Sequence, residues 1–136
     1  MKKILFAVLC VFMLASCSFY HETPIGDQRF DGNFFYYKKT YNENTFERSE
    51  IGILWYFDGS SKALKTAVSE GYSKTQGFYY YDLQEWFEVE TKDNKYFRER
   101  LWDNEFDDWS DWLEYEFLED GTLRFFDKYG YKDYER

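Results

Sequence analysis

Hydrophobic and polar residues alternate through most of the chain after residue 29, and this period of two predicts β-strands. Leu113, Tyr115 and Phe117, for example, fall on one face of a predicted strand, and glutamates occupy the positions between them. The segment 62–69 also fits the apolar face of a helix, so its assignment as a strand is ambiguous. The predicted strands span residues 34–41, 48–57, 62–69, 78–83, 85–91, 96–102, 112–118 and 123–126.

Turn-forming residues separate these strands at short intervals. Asp58-Gly59-Ser60 and Asp120-Gly121-Thr122 each place a glycine between two apolar runs, which is a strong hairpin signal because glycine accepts a positive φ. No helical segment recurs between the strands, so a parallel sheet is not expected. The pattern predicts an all-β fold, a small antiparallel up-and-down barrel or curved meander of about eight strands. An open β-sandwich is the alternative.

The first sixteen residues have the layout of an export signal. Lys2 and Lys3 precede an apolar run that extends from Ile4 to Ala15. This run is shorter than the ~20 residues that a membrane-spanning helix needs, and it fits the core of a secretory signal peptide. We therefore expect residues 1–16 to be removed from the exported protein.

The end of this run, Leu14-Ala15-Ser16-Cys17, resembles the lipobox of bacterial lipoproteins. The resemblance implies that a diacylglyceryl group is attached to Cys17, that the chain is cut before this residue, and that a membrane then holds the new N-terminus. Ser18, which follows the lipidated position, favours the outer membrane of the cell envelope over the inner membrane. Residues 17–28, with Pro24 and Gly26, are predicted to be the lipidated N-terminus and a short tether, and residues 29–136 a single β domain.

A second resemblance concerns the β domain. Asp31-Gly32-Asn33-Phe34 is similar to the Gly-x-Trp opening of lipocalin-like proteins, with Phe in place of Trp. The two Asp-Gly hairpins resemble the strand, Asp-Gly-Thr, strand pattern of small lipocalin-like lipoproteins. This resemblance implies an up-and-down barrel with a small apolar cavity.

Charge and composition narrow the functional classes. The chain has 26 acidic and 17 basic residues and a formal charge of −9, which argues against a nucleic-acid partner. It has one histidine and two cysteines, so it offers no multi-histidine or cysteine-rich metal centre and no histidine base within the predicted barrel. We therefore expect no enzymatic activity, no cofactor and no metal site.

The leading functional hypothesis is a non-enzymatic binding module that holds a small apolar ligand inside the barrel. A barrel of about eight strands has room for at most one small ligand. Alternation along the strands selects the residues predicted to line the interior: Ile53, Trp55, Phe57, Trp86, Phe97 and Trp102.

The alternative is a surface that binds a basic protein partner. The segment 103–120 carries nine carboxylates and no Lys or Arg, and it also contains Trp109 and Trp112. Its acidic spacing resembles a calcium loop, but Asp108 stands where such a loop needs glycine, so no calcium site is predicted. Aromatic anchors among charges are typical of protein-binding hot spots. The residues assigned to this patch are Trp109, Trp112, Asp107, Asp108 and Asp111.

Overall fold

The computed structural model describes residues 23–104 and 106–136. The predicted signal peptide, Cys17 and the first part of the tether lie outside the described residues. The described residues form eight strands and no helix. Among them there is accordingly no helix long and apolar enough to cross a membrane. The strands are β1 (Asp31–Tyr41), β2 (Arg48–Asp58), β3 (Lys62–Ser73), β4 (Gly77–Lys92), β5 (Tyr96–Leu101), β6 (Leu113–Phe117), β7 (Leu123–Asp127) and β8 (Gly130–Tyr134).

All eight strands belong to one antiparallel sheet in which each strand pairs with its neighbours in sequence. The sheet curls until β1 meets β8 through one bridge, in which Phe35 and Glu135 exchange two backbone hydrogen bonds of 2.7 and 2.8 Å. The predicted up-and-down barrel is confirmed, with one incompletely sealed seam between β1 and β8. Because the strands form a single curled sheet, the open sandwich is excluded.

The predicted turns form where small polar residues and positive φ angles allow the chain to reverse. At Asp58-Gly59-Ser60, the Ser60 amide donates to the Asp58 carboxylate at 3.0 Å, and Gly59 has a φ of +86°. Asp93 and Asn94 both adopt positive φ, as a tight turn between twisted strands requires. The hairpins predicted at Asp58-Gly59-Ser60 and Asp120-Gly121-Thr122 are confirmed.

The interior of the barrel is filled mainly by aromatic side chains from the inward faces of the strands. Their ring centroids lie about 5–6 Å apart, and most pairs meet edge to face, which is the favoured geometry for aromatic contacts. The buried core consists of Ile25, Phe30, Phe34, Ile53, Trp55, Phe57, Ala63, Val89, Phe97, Tyr115, Leu123, Phe125 and Tyr134.

Two strand assignments differ from the sequence-based prediction, and one that was ambiguous in sequence is resolved as a strand. The two strands predicted at 78–83 and 85–91 are one continuous strand, β4, because Gln84 between them does not break the chain. The segment 62–69, ambiguous in sequence, belongs to β3. Strand β8 was not predicted, because only Tyr134 of its five residues is buried and the strand therefore lacks hydrophobic alternation.

Candidate functional site

The two ends of the barrel differ in how they are closed. Residues 23–30 precede β1 and lie across one end, where Ile25 bonds through its backbone to Gly59 and Thr91. Phe30 is fully buried and contacts the rings of Phe57, Phe97 and Tyr115. The region predicted to be a tether is thus part of the packed domain from residue 23 onward.

Asp27 fixes this closed end. Its carboxylate is buried and accepts hydrogen bonds from the Tyr115 hydroxyl at 2.6 Å and from the Arg29 guanidinium at 2.7 and 3.0 Å. Burial pushes the pKa of Asp27 upward, but the bonds from Arg29 and Tyr115 outweigh burial and hold the pKa below its ordinary value. Because both oxygens of Asp27 already accept hydrogen bonds, this carboxylate is not available to bind a ligand.

The other end of the barrel contains a cavity of about 130 Å³. Strands on both sides of the barrel contribute to it, so it lies between the β2–β5 wall and the β6–β8 wall. Its lining consists of Trp55, Lys65, Phe97, Glu99, Leu113, Phe125, Phe126, Asp127, Lys132 and Tyr134. The cavity therefore combines an aromatic wall with two basic and two acidic side chains.

Lys65 and Glu99 form an ion pair inside this cavity. Lys65 lies opposite Trp55 in the β2–β3 register and therefore points into the barrel. Its ammonium group is 3.7 Å from Oε1 of Glu99 and 5.1 Å from the centre of the Trp55 ring. A cation over the face of tryptophan is stabilised by the ring's electron density, so Trp55 positions Lys65 as well as packing the core.

The second carboxylate oxygen of Glu99 has no hydrogen-bond partner among the described residues. This Oε2 atom is buried, and burial raises the pKa of Glu99 above its ordinary value although the Lys65 ammonium acts in the opposite direction. Burial and the nearby Glu99 charge also raise the pKa of Tyr134. A buried acceptor without a donor is costly, and a donor placed in the cavity would remove that cost.

The structure brings together four of the six residues predicted to line the interior. Ile53, Trp55, Phe57 and Phe97 are buried in the core, and Trp55 and Phe97 also line the cavity. Ile53 and Phe57 take part in the packed core and do not reach the cavity.

Trp86 and Trp102 are not interior residues, which corrects the predicted lining. The inward phase of β4 is set by Phe87 and Val89, so Trp86 belongs to the outer face. Trp102 follows β5 and lies beside Trp86, and the ammonium group of Lys62 lies 4.9 Å from the centre of each ring. A shift of one residue in a strand reverses the face of every side chain, and this shift explains the error.

Trp109 and Trp112, predicted as anchors for a partner, are half-buried on the outer face. The Arg98 guanidinium lies 4.5 Å from the ring centre of Trp109 and 4.4 Å from that of Trp112. Arg100 also contacts Trp109, and Lys92 contacts Trp112. We call Trp86, Trp102, Trp109 and Trp112 the outer tryptophan cluster. Its rings are engaged with cations of the same chain.

The three predicted acidic residues of this patch have different environments. Asp107 accepts a hydrogen bond from the Leu101 amide at 2.9 Å and so holds the segment after β5 against the strand. Asp108 and Asp111 are exposed. A shallow depression of about 480 Å³ lies next to this segment, with Glu88, Arg100, Trp102 and Phe106 among its lining residues. It is open to solvent, and its Glu88 and Arg100 are already paired at 2.6 Å.

Sequence reasoning missed Lys65, Glu99 and Tyr134 as cavity residues. The sequence held one signal for Lys65: it lies two residues from both Ala63 and Ala67, so the three side chains lie on one face of β3, and the two alanines pack on the core. Charged residues in strands are usually assigned to the outer face, so this signal was outweighed. Tyr134 belongs to the strand that was not predicted.

Comparison with known proteins gives no match to a family model, a curated protein or a solved structure. Within residues 23–104 and 106–136, no three His, Cys, Asp or Glu side chains are grouped so that they could hold a metal ion. The cavity brings aromatic side chains together with an unsatisfied buried polar atom, Oε2 of Glu99.

Proposed function

We propose that this protein is a lipid-anchored, non-enzymatic binding module of the bacterial cell envelope, attached to the outer membrane through Cys17. The lipobox resemblance of residues 14–17 supports the anchor. Its ligand is a small amphipathic molecule held between the two walls of the barrel, at the end opposite residues 23–30. The observation that carries this proposal is the buried Oε2 atom of Glu99, which lies without a donor beside an aromatic wall.

The size of the cavity limits the ligand. A water molecule occupies about 30 Å³ in the liquid, so the cavity corresponds to about four waters. This is well below the ~300–1,000 Å³ of sites that bind drug-sized molecules. The ligand is therefore a compact molecule or the end of a longer one.

The lining determines the chemistry of the ligand. An apolar body packs against Trp55, Phe97 and Phe125, and an ammonium or hydroxyl donor reaches Glu99 Oε2. This refines the apolar ligand predicted from the sequence, since a purely apolar molecule would leave the carboxylate oxygen unsatisfied.

Native mass spectrometry of protein purified from its host tests the proposal. We expect the wild type to carry a small bound molecule and Glu99→Gln to lose most of it, because the variant removes the charged acceptor. Glu90→Gln is the matched control, since Glu90 lies on the outer face and pairs with Arg98.

Titration with butylamine, followed by the NMR signals of cavity residues, provides a second measurement. We expect the signals of Phe97 and Glu99 to shift in the wild type and to shift less in Glu99→Gln. A wild-type protein with the mass of the processed, lipidated chain alone, and with NMR signals insensitive to butylamine, would contradict the proposed ligand site.

A further inference from the structure

Strand β4 extends far beyond the strand that pairs with it. It has 16 residues, but β5 pairs only with Phe87–Lys92, and the Trp102 amide bonds to the Trp86 carbonyl at 3.0 Å. Residues 77–85 therefore pair with β3 on one side and with no backbone among the described residues on the other. An antiparallel strand presents N–H and C=O groups to both sides, so this segment has an open hydrogen-bonding edge. We call it the β4 edge.

The side chains of the β4 edge are unusually apolar for an exposed strand. Phe78 is 76% exposed, Tyr80 54%, Tyr81 55% and Leu83 38%. These residues alternate between the two faces, so an added strand would find apolar contacts on both. Long, exposed, apolar edges are strongly disposed to pair with another strand.

The β4 edge also lacks lysine and proline, the residues that most often block such pairing. Residues 77–85 contain no Lys, Arg or Pro. Strand β1 also has an edge, because it pairs with β2 along its length but with β8 only through the bridge at Phe35. By contrast with β4, it carries exposed Lys38 and Lys39 near its end. Edge lysines hinder strand addition because their charge must be desolvated. The two outer strands therefore differ in the way expected if only β4 receives a partner.

Charge identifies the kind of partner. The ionisable carboxylates of the β4 edge are Asp82 and Glu85, both exposed, and Glu70 lies opposite Tyr80 on β3. A second copy of this acidic chain would bring carboxylates together and is disfavoured. We infer that the β4 edge accepts an extended, basic peptide segment of another protein as an added β-strand. This inference does not depend on the cavity.

A synthetic peptide of alternating lysine and valine, matched in length to residues 77–85, tests the inference. Fluorescence anisotropy would measure its binding to the protein. A peptide with the same charges but N-methylated at both its lysines and its valines is the control, because this removes the main-chain donors of both strand edges and leaves the charge intact. We expect this control to bind roughly tenfold more weakly, as the loss of about 1.4 kcal/mol of main-chain hydrogen bonding predicts.

Two variants locate the site. Leu83→Lys places a blocking charge on the β4 edge and is expected to weaken binding of the lysine–valine peptide by roughly tenfold. Thr40→Lys adds the same charge to exposed Thr40 of β1 and is expected to leave binding unchanged. Circular dichroism of both variants checks that they fold.

Three outcomes would overturn the inference. One is the absence of binding by the lysine–valine peptide, and another is equal binding of the N-methylated peptide, which would indicate charge attraction alone. The third is self-association of the wild type in sedimentation velocity, together with disulfide cross-linking of Tyr81→Cys across a two-fold axis. That result would assign the edge to a second copy of this chain.

Discussion

At the scale of single residues, the carboxylates of buried Asp27 and half-buried Glu99 have opposite properties. Asp27 is surrounded by donors from Arg29 and Tyr115, and its pKa lies below the ordinary value. Glu99 keeps one oxygen without a partner, and its pKa lies above the ordinary value. A fully satisfied carboxylate stabilises the fold, whereas an incompletely satisfied one is suited to binding.

Asp27→Asn is expected to lower the free energy of unfolding at neutral pH by about 1–3 kcal/mol, because both carboxylate oxygens accept hydrogen bonds and the amide replaces one of these acceptors by an NH2 donor. The pKa of Asp27 is lowered on folding, so its contribution is present above its ordinary value of 3.8 and is lost as the pH falls below that value. Urea denaturation at neutral and acidic pH would measure this, with exposed Asp31→Asn as the control. Equal stability of Asp27→Asn and the wild type at neutral pH would contradict the assigned role.

Glu99→Gln is expected to show the opposite pH dependence. The folded pKa of Glu99 is raised, so its favourable contribution is complete below the ordinary value of 4.5 and is lost as the pH rises through the folded pKa. The wild type should therefore gain stability relative to Glu99→Gln as the pH falls from neutrality toward 4.5. Urea denaturation across this range, with Glu90→Gln as the control, measures the difference. A difference that does not change with pH would show that Glu99 is not desolvated.

At the scale of elements, the segment after β5 acts in place of a paired strand. Strand β6 pairs with β5 at only two positions, Tyr96 and Phe97. Beyond them, the Ser110 amide bonds to the Glu99 carbonyl at 2.8 Å, and Asp107 accepts from Leu101. Trp109 and Trp112 of the outer tryptophan cluster pack this irregular segment onto cations of β4 and β5, Lys92, Arg98 and Arg100.

Trp109→Ala is expected to lower the free energy of unfolding by about 1–2 kcal/mol, since it removes cation contacts with Arg98 and Arg100 together with half-buried area. Phe106→Ala is the matched control, because Phe106 is 90% exposed and its loss should leave stability unchanged. Thermal unfolding followed by circular dichroism would measure both variants. If Trp109→Ala were as stable as the wild type, the tryptophan would be free to act as a partner-binding anchor instead.

The elements also show what the sequence could and could not predict. Turns and strands were predictable wherever glycine and aspartate mark a reversal and inward positions are apolar, as at Asp58-Gly59-Ser60. Trp86 was predicted on the wrong face because alternation alone leaves the register of the strand open by one residue, and Phe87 and Val89 set the inward positions of β4. Lys65 and Glu99 could not be recognised as a pair, because only the closure of the sheet brings β3 and β5 together across the interior.

At the scale of the whole molecule, the fold places the cavity away from the proposed membrane anchor. The chain enters the barrel through residues 23–30 at the closed end, and the cavity lies toward the other end. Residues 17–22 leave only a short connection to the proposed lipid. The open end and the β4 edge would therefore point away from the membrane surface, where a ligand or a partner segment can approach them.

Cys17→Ala is expected to abolish fatty-acid labelling and to release the protein from the membrane fraction, because the variant removes the proposed site of lipid attachment. Metabolic labelling followed by membrane fractionation measures both properties. Ser18→Ala is a suitable control, since it leaves the lipidated cysteine in place. Retention of the label by Cys17→Ala would show that the lipobox interpretation is wrong.

The barrel is joined by two weak junctions, the single bridge between Phe35 and Glu135 and the two-pair contact between β5 and β6. They separate a five-strand unit, β1–β5, from a three-strand unit, β6–β8. Units of this kind can unfold locally with different free energies. Amide hydrogens of β6–β8 should therefore exchange with solvent faster than those of β2 and β3. Because the cavity lies between the two units, its volume depends on how closely they associate. The interior can then admit a ligand when the smaller unit separates from the larger one, without unfolding of the whole chain.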